Sequence, residues 1–487
     1  MGPDLNAFDY FFSDSKTLTK DFLLGIKENI SFLTLHQKCI AIAEYLQDYI
    51  GKGKNIPVIG NNNLFFITSY LAIIKSGNIA IPLNPALEEE TLDNIISQCE
   101  CSCAFISAET HINRKGILKQ FDESDVISII SEKKRIIDPQ SNIDDPAIIL
   151  FTSGSTGLPK GVMLSHRNLI ANTSSIVKYL QLAETDIMLV VLPFYYCYGL
   201  SLLHTHLHVG GSIAINNSFI FLGGIIRDLN LYNCTGFAGV PSHYQILLRK
   251  SKSFITTQFP SLRYVTQAGG KLSYPFIEEF TKAFPEISFY VMYGQTEATA
   301  RLAYLSPELV NIKKGSVGKE IPGVILKIVD DKDIEVTPGE IGEIIAHGEN
   351  IMSGYFKDQA LTSETVRLGW LYTGDNAVMD DEGYITILSR KKEIIKVGGK
   401  RVSPKEIEEV ILLLPYVVDC TVQGIADSLL GEAVCATIIL TEEANKTITE
   451  KDILVHCHKN LAMYKVPSKI TFESSLTFAS TGKKIKT

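Results

Sequence analysis

An apolar run that stops abruptly in glycines and hydroxyls constrains this chain more than any other stretch. Ile148-Ile149-Leu150-Phe151 reads as a buried strand, and Thr152-Ser153-Gly154-Ser155-Thr156-Gly157-Leu158-Pro159-Lys160-Gly161 follows at once. Gly154 and Gly157 let the backbone turn tightly and leave its N–H groups unshielded. Successive N–H groups of that kind form a concave anion site. Thr152, Ser153, Ser155 and Thr156 add hydroxyl donors, and Lys160 adds a mobile positive charge. The stretch reads as a grip for a polyphosphate. G-x-x-x-x-G-K-[ST] cannot be laid onto it, so it is not a Walker loop. A solvated linker of the same composition would rarely sit directly behind a buried strand.

At 487 residues the chain should form more than one domain, because single cores stop growing at about 250–300 residues. The net charge of −8 argues against an electrostatic nucleic-acid binder. The N-terminus, Met1-Gly2-Pro3-Asp4-Leu5-Asn6, lacks the basic and apolar regions of a leader. Ile187 to Leu203 is the best candidate for a membrane span, but Pro193, Gly199 and three tyrosines interrupt it. It is expected to be core, with no transmembrane segment. Nine scattered cysteines suit reduced thiols and a cytoplasmic location. Cys99, Cys101 and Cys103 are expected to be packed thiols, since no C-x-x-C pair accompanies them. His204, His206 and His208 are expected on a packed helix ending at Gly210-Gly211 rather than around a metal.

Strand-like and helix-like segments alternate through the first half: a strand at 57–60, a helix from about 64 to 75, a strand at 79–83, and a helix from 165 to 180. That order predicts parallel sheets with helices on their faces. The polar passage 122–145 is expected to run over the surface into the strand before the glycine loop. After the strand at 188–193 come Phe194, Tyr195, Tyr196 and Tyr198, aromatics that suit a pocket wall for an apolar ligand. Gly269-Gly270 ends another strand in a close-approach turn. Tyr293-Gly294-Gln295-Thr296-Glu297 offers an aromatic face, a hydroxyl and a hard carboxylate oxygen, the parts that stack a base, hold a phosphate and bind Mg²⁺. Tyr372-Thr373-Gly374-Asp375 puts a carboxylate beside a glycine turn, suited to accept from sugar hydroxyls. Short strands and glycine turns from 315 to 382 suggest a small β-rich subdomain. Basic residues from Arg390 to Arg401 then surround Gly398-Gly399, and a helix from Ser403 to Leu413 is expected to carry Ser403 as its cap and Pro404 at its first position.

These segments together resemble the adenylate-forming superfamily of acyl-CoA synthetases, peptide-synthetase adenylation domains and beetle luciferases. The resemblance runs from about residue 30 to the end. It rests on F-T-S-G-S-T-G-L-P-K-G-V at 151–162, Y-G-Q-T-E at 293–297, Y-T-G-D at 372–375 and S-R-K-K-E-I-I-K-V-G-G-K-R-V from 389, in the family's order. It implies an α/β fold: a large N-terminal domain of stacked βαβ sheets with a small β-barrel subdomain, over residues 1–388. A hinge at 389–392 and a small mobile α+β domain at 393–487 would follow.

The implied activity is that of an AMP-forming acyl-CoA synthetase, using ATP, Mg²⁺ and CoA on a small-molecule carboxylic acid. By resemblance, Thr152, Ser153, Gly154, Ser155, Thr156, Gly157 and Lys160 grip phosphate, Thr296 contacts it and Glu297 binds the metal. Asp375 and Arg390 hold ribose, while Gly269, Gly270, Tyr293 and Gly294 border the nucleotide. Tyr195, Tyr196, Tyr198 and Met292 form the acyl pocket, and Lys396, Gly398 and Gly399 face the thiol channel. Lys392 resembles the hinge. Lys483 resembles the catalytic lysine, although the family's G-K-[IL]-x-R reads Gly482-Lys483-Lys484-Ile485-Lys486 here, so Lys484 competes for that role. Tyr196 stands where relatives often carry His. The absence of a carboxylate from Phe194 to Gly199 speaks against an α-amino acid and for an apolar acid, as in fatty acid metabolism. An acyl carrier protein is an alternative thiol partner, and a non-catalytic nucleotide-binding regulator is the alternative of another class.

Overall fold

Two sheets with helices between them carry most of the molecule. The computed structural model describes residues 6–25, 29–110, 117, 119–132, 141–152, 159–219, 221–390, 393–427 and 429–473. A nine-stranded sheet runs in the order Lys319–Glu320, Ala303–Leu305, Ser288–Tyr293, Tyr264–Gln267, Gly236–Gly239, Ile187–Val190, Ser212–Ile215, Asp21–Leu24, Ile30–Ser31. Its six inner strands, Ser288–Tyr293 through Asp21–Leu24, are parallel, and antiparallel strands close both edges. A seven-stranded sheet runs Gly354–Tyr355, Lys160–Ser165, Pro146–Thr152, Ile79–Leu83, Asn55–Ile59, Cys103–Ile106, Lys119–Phe121.

Composition explains what fills the space between the sheets. In Leu64–Lys75 every residue after the first is buried, the state of a helix that is apolar all round. Asn63 caps it by accepting from the Phe66 N–H at 2.8 Å. Cys197–Val209 is buried along most of its length and ends at Gly210 with φ 71°, so Pro193 and Gly199 break a span into strand, turn and helix. Among the described residues no helix is long and apolar enough to cross a membrane. His166–Leu180 starts in a capping box between Ser165 and Asn168. The histidines of the second helix are packed, as the sequence suggests. His204 Nε2 lies 2.8 Å from the Tyr70 hydroxyl, and His208 Nδ1 lies 3.0 Å from the Tyr10 carbonyl. All nine cysteines are buried and free. The passage from 122 lies on the surface as expected and forms a helix there, Glu123–Glu132, that turns only Val126 and Ile129 inward.

Two antiparallel units complete the chain. Val324–Val329, Gly342–Gly348, Trp370–Met379 and Val366–Arg367 form one sheet, with Ile385–Arg390 paired to Trp370–Met379. The other comprises Lys400–Val402, Ile395–Val397, Gly431–Leu440 and Val417–Asp427, with Lys469–Glu473 parallel to Gly431–Leu440. Pro404–Leu412 packs on it. Ser403 precedes that helix without capping it through its side chain; its hydroxyl donates instead to the Leu388 carbonyl at 2.9 Å. Helix Pro241–Lys250 is the seam to the earlier domain. Arg249 donates to the carbonyls of Leu414, at 3.1 Å, and Val417, and pairs with Glu279 at 2.6 Å.

Candidate active site

The hairpin comes first. Pro146–Thr152 pairs antiparallel with Lys160–Ser165, in a register that sets Thr152 opposite Lys160. The two ends of the proposed polyphosphate grip therefore face each other across one ladder. Ser153, Gly154, Ser155, Thr156 and Gly157 lie outside the described residues. Gly161 is required here, because an added Cβ would stand 2.9 Å from Ile149 Cγ2 and 3.2 Å from Phe356 Cβ. That closeness admits the short strand Gly354–Tyr355 beside Val162 and Met163. Tyr355 thus reaches the site: Lys160 Nζ is 5.7 Å from its ring centroid, and its hydroxyl donates to Glu297 Oε1 at 2.8 Å.

The turn after Ser288–Tyr293 supplies Glu297. Gly294 has no room for a side chain, since a Cβ would meet the Ala300 carbonyl oxygen at 2.1 Å. The chain folds back over it, and the Leu302 N–H donates to the Tyr293 carbonyl at 2.8 Å. Thr296 sits 3.5 Å from Cys197 Sγ at the start of the buried helix. Glu297 makes no ion pair among the described residues. A single anchored carboxylate with hard oxygens is what magnesium bridged by phosphates asks of a protein, so the residues present fit that ion.

Register also builds the third part. Asp375 pairs with Arg390 across the strands Trp370–Met379 and Ile385–Arg390. Arg390 Nε donates to Asp375 Oδ1 at 3.1 Å, and the Tyr293 hydroxyl donates to Oδ2 at 2.7 Å. Asp375 is 4% exposed, whereas the Arg390 side chain is 58% exposed. Burial raises the Asp375 carboxyl above its usual range, with Arg390 and Tyr293 opposing the rise. Burial and the neighbouring Asp375 charge push the Tyr293 phenol well up. Gly374, at φ 75°, lets the strand turn there. Gly269, at φ 84°, ends Tyr264–Gln267, and the Gly270 carbonyl accepts from Gln267 Nε2 at 2.6 Å.

The aromatic stretch divides its work. Phe194 is core against Phe66, with ring centroids 5.9 Å apart. Tyr196 and Tyr198 meet edge-on at 6.4 Å. The Tyr198 hydroxyl is occupied, donating to the Thr266 carbonyl at 2.9 Å. Met292 Sδ accepts from the Tyr179 hydroxyl at 3.0 Å. The wall that the sequence presents as uncharged also carries a guanidinium, because Arg301 Cζ stands 4.1 Å from the Tyr198 ring centroid. Sequence reading passes over Tyr355, Tyr179 and Arg301. Only Arg301 leaves a signal there, as a lone cation in Ala298-Thr299-Ala300-Arg301-Leu302-Ala303.

Lys396, Gly398 and Gly399 lie in the hairpin Ile395–Val397/Lys400–Val402, with both glycines at positive φ. Among the described residues no hydrogen bond or ion pair joins them to Glu297 or Asp375. Lys392, Lys483 and Lys484 lie outside the described residues.

A buried carboxylate held by the Tyr293 turn, which also carries Glu297 and through Tyr355 meets a hairpin with a polyphosphate-binding composition, defines a nucleotide-handling α/β enzyme. The chain matches the AMP-binding enzyme family over residues 13–356 and the AMP-binding enzyme C-terminal domain over 406–483. It belongs to that family, the adenylate-forming enzymes, alongside acyl-CoA ligases. A 2-succinylbenzoate–CoA ligase of Bacillus cereus (strain ZK / E33L) is 31% identical over 451 residues, covering 92% of this chain and 91% of that one. A long-chain-fatty-acid–CoA ligase of Escherichia coli O157:H7 is 29% identical, covering 94% and 89%. The solved o-succinylbenzoate coenzyme A synthetase of Bacillus subtilis, in complex with ATP and magnesium ion, superposes with a TM-score of 0.85 at 25% identity, covering 98% of both chains.

Proposed function

We propose that the chain is an AMP-forming acid–CoA ligase. In the first step a substrate carboxylate oxygen attacks the α-phosphorus of ATP, and pyrophosphate leaves with the electrons of the broken P–O bond. In the second, the CoA thiol, losing its proton, attacks the acyl carbonyl and AMP leaves. Neither step needs a covalent enzyme intermediate, so positioning and charge neutralisation supply the catalysis. Asp375 accepts from the ribose hydroxyls while Tyr293 and Arg390 fix its orientation. Thr152, Thr296 and Lys160 donate to phosphate oxygens, and Glu297, steadied by Tyr355, is the protein's ligand for the metal. Magnesium, when bound, neutralises charge on the polyphosphate. Lys483 is assigned to the developing charge at the α-phosphate, and Lys392 to the pivot between residues 1–388 and 393–487. Lys396, Gly398 and Gly399 are assigned to the thiol channel.

The observation that carries this reading is the convergence of the Y-G-Q-T-E and Y-T-G-D motifs on one carboxylate, Asp375, through the Tyr293 hydroxyl at 2.7 Å. Acid-dependent ATP–pyrophosphate exchange, followed by CoA-dependent release of AMP, tests it. Exchange without any effect of CoA, but with transfer to a phosphopantetheinyl carrier protein, would move the acceptor to the carrier. Absence of exchange with every acid would leave a nucleotide-binding regulator. Nine buried free thiols suit a reducing compartment, and we assign the enzyme to the cytoplasm. Fatty acid metabolism is the narrower assignment that an acid panel decides.

A further inference from the structure

Arg301 is a buried cation without a counter-ion among the described residues. It is 2% exposed and the largest of the fully buried side chains among the described residues. Gly294 puts it there, since a Cβ on that glycine would lie 2.7 Å from Arg301 Cα. The guanidinium lies over the Tyr198 ring, with Nε 3.4 Å from Met292 Sδ and Nη1 donating to the Ala300 carbonyl at 3.1 Å. A π face, a thioether, the Ala300 carbonyl and the Tyr179 hydroxyl are its neighbours, and no carboxylate among the described residues pairs with it.

That arrangement departs from the chain's own practice. Lys75, with its side chain 3% exposed, is paired with Asp9 at 2.9 Å. Arg249, with its side chain 4% exposed, is paired with Glu279 at 2.6 Å. A guanidinium cannot lose its charge inside a protein, and an ion buried without a partner is strongly unfavourable. A second donor on the same loop is also unmet: Gln295 Nε2, immediately after Gly294, is buried and has no acceptor among the described residues. Both groups only donate, so Gln295 Nε2 lacks an oxygen acceptor and Arg301 lacks an anionic one. Glu297 and Asp375 are engaged by Tyr355, Tyr293 and Arg390. The described residues therefore leave the guanidinium without an anionic partner, a place that a ligand can fill.

We infer that the acid substrate carries a second carboxylate, which Arg301 binds through the wall formed by Tyr198 and Met292. This rests on the acid–CoA ligase reading and narrows it, replacing the apolar acid expected from the tyrosines alone. The guanidinium fork matches a carboxylate bidentately, and Gln295 Nε2 supplies a further donor on the same loop. Arg301 is thus a specificity-determining residue, distinct from the groups that handle phosphate and ribose. An acid lacking the second carboxylate leaves the guanidinium unpaired, the situation in which sites reject analogues most strongly.

The test is ATP–pyrophosphate exchange by the full chain with matched acids: adipate against hexanoate and monomethyl adipate, and isophthalate against benzoate. The parent should prefer the diacid of at least one pair by roughly a hundredfold in kcat/KM. Arg301→Met should abolish that preference while its exchange with the monoacid stays within a few fold. Arg301→Lys, which keeps the charge and loses the fork, should fall between. A parent that prefers the monoacid of both pairs overturns the inference, and that arm needs no variant to fold. Equal losses on both members of a pair in Arg301→Met also overturn it, leaving Arg301 as a brace for Tyr198 and Met292. No exchange with any acid would refute the ligase reading itself, an outcome separate from exchange with monoacids alone.

Discussion

Replacing Tyr293 with Phe removes one oxygen from the centre of the site and leaves the ring in place. That oxygen donates to Asp375 Oδ2 at 2.7 Å, and Asp375 is 4% exposed. A hydrogen bond to an ionised group contributes about 1.5–3 kcal/mol. A loss of about 2 kcal/mol is roughly thirtyfold in an equilibrium constant. The sign with pH follows from the carboxyl. Its folded-state pKa is raised by burial and held back by Arg390 and Tyr293. Keeping it ionised therefore costs stability above that pKa, and the cost is relieved as pH falls through it. Without the tyrosine donor the pKa climbs further, so the ionised form that accepts from ribose is lost at a higher pH. Tyr293→Phe should raise the KM for ATP about ten- to thirtyfold and move the acid limb of kcat/KM for ATP upward. Asp375→Asn should escape the ionisation cost, melt no lower than the parent at neutral pH, and still fail to discriminate ATP from 2′-deoxy-ATP. Exchange kinetics over pH with calorimetric melting would measure both. A Tyr293→Phe enzyme with the parent's KM and acid limb would refute the coupling.

Other perturbations bear on different links. Gly294→Ala should lose nearly all exchange activity and melt lower, because the added carbon meets the Ala300 carbonyl oxygen at 2.1 Å; a variant that melts with the parent contradicts the fold-back. Tyr355→Phe should raise the magnesium concentration needed for half-maximal exchange several-fold by freeing Glu297, and an unchanged magnesium curve would remove Tyr355 from the site. Burial pushes His166 and His206 down to about 4 and His204 and His243 down to about 3. Their contribution is complete above the unfolded value near 6.5 and is lost as pH falls toward the folded ones, on the order of 2 kcal/mol each by about pH 5. Melts from pH 7.5 to 5 should show this loss, and His204→Gln should flatten it. Lys483→Ala should cut adenylation about a hundredfold, the scale of one preorganised charge stabiliser, while sparing thioester formation from preformed acyl-adenylate; equal loss of both half-reactions would move the role elsewhere.

Local chemistry made much of this protein legible in its sequence. Leu64–Lys75 and Ile79–Leu83 stand where their apolar patterns put them, because periodicity acts within a few residues. The motif turns are legible for the same reason: a glycine and its neighbours carry their own geometry. What required the tertiary structure lies between segments distant in the chain. Tyr293 and Asp375 meet across 82 positions, and Tyr355 reaches Glu297 only because Gly161 admits a third strand beside the hairpin. Arg301 shows the division best. Its charge is visible in an apolar stretch, but only packing shows that no carboxylate among the described residues meets it, since burial and pairing are properties of the folded neighbourhood rather than of the residue.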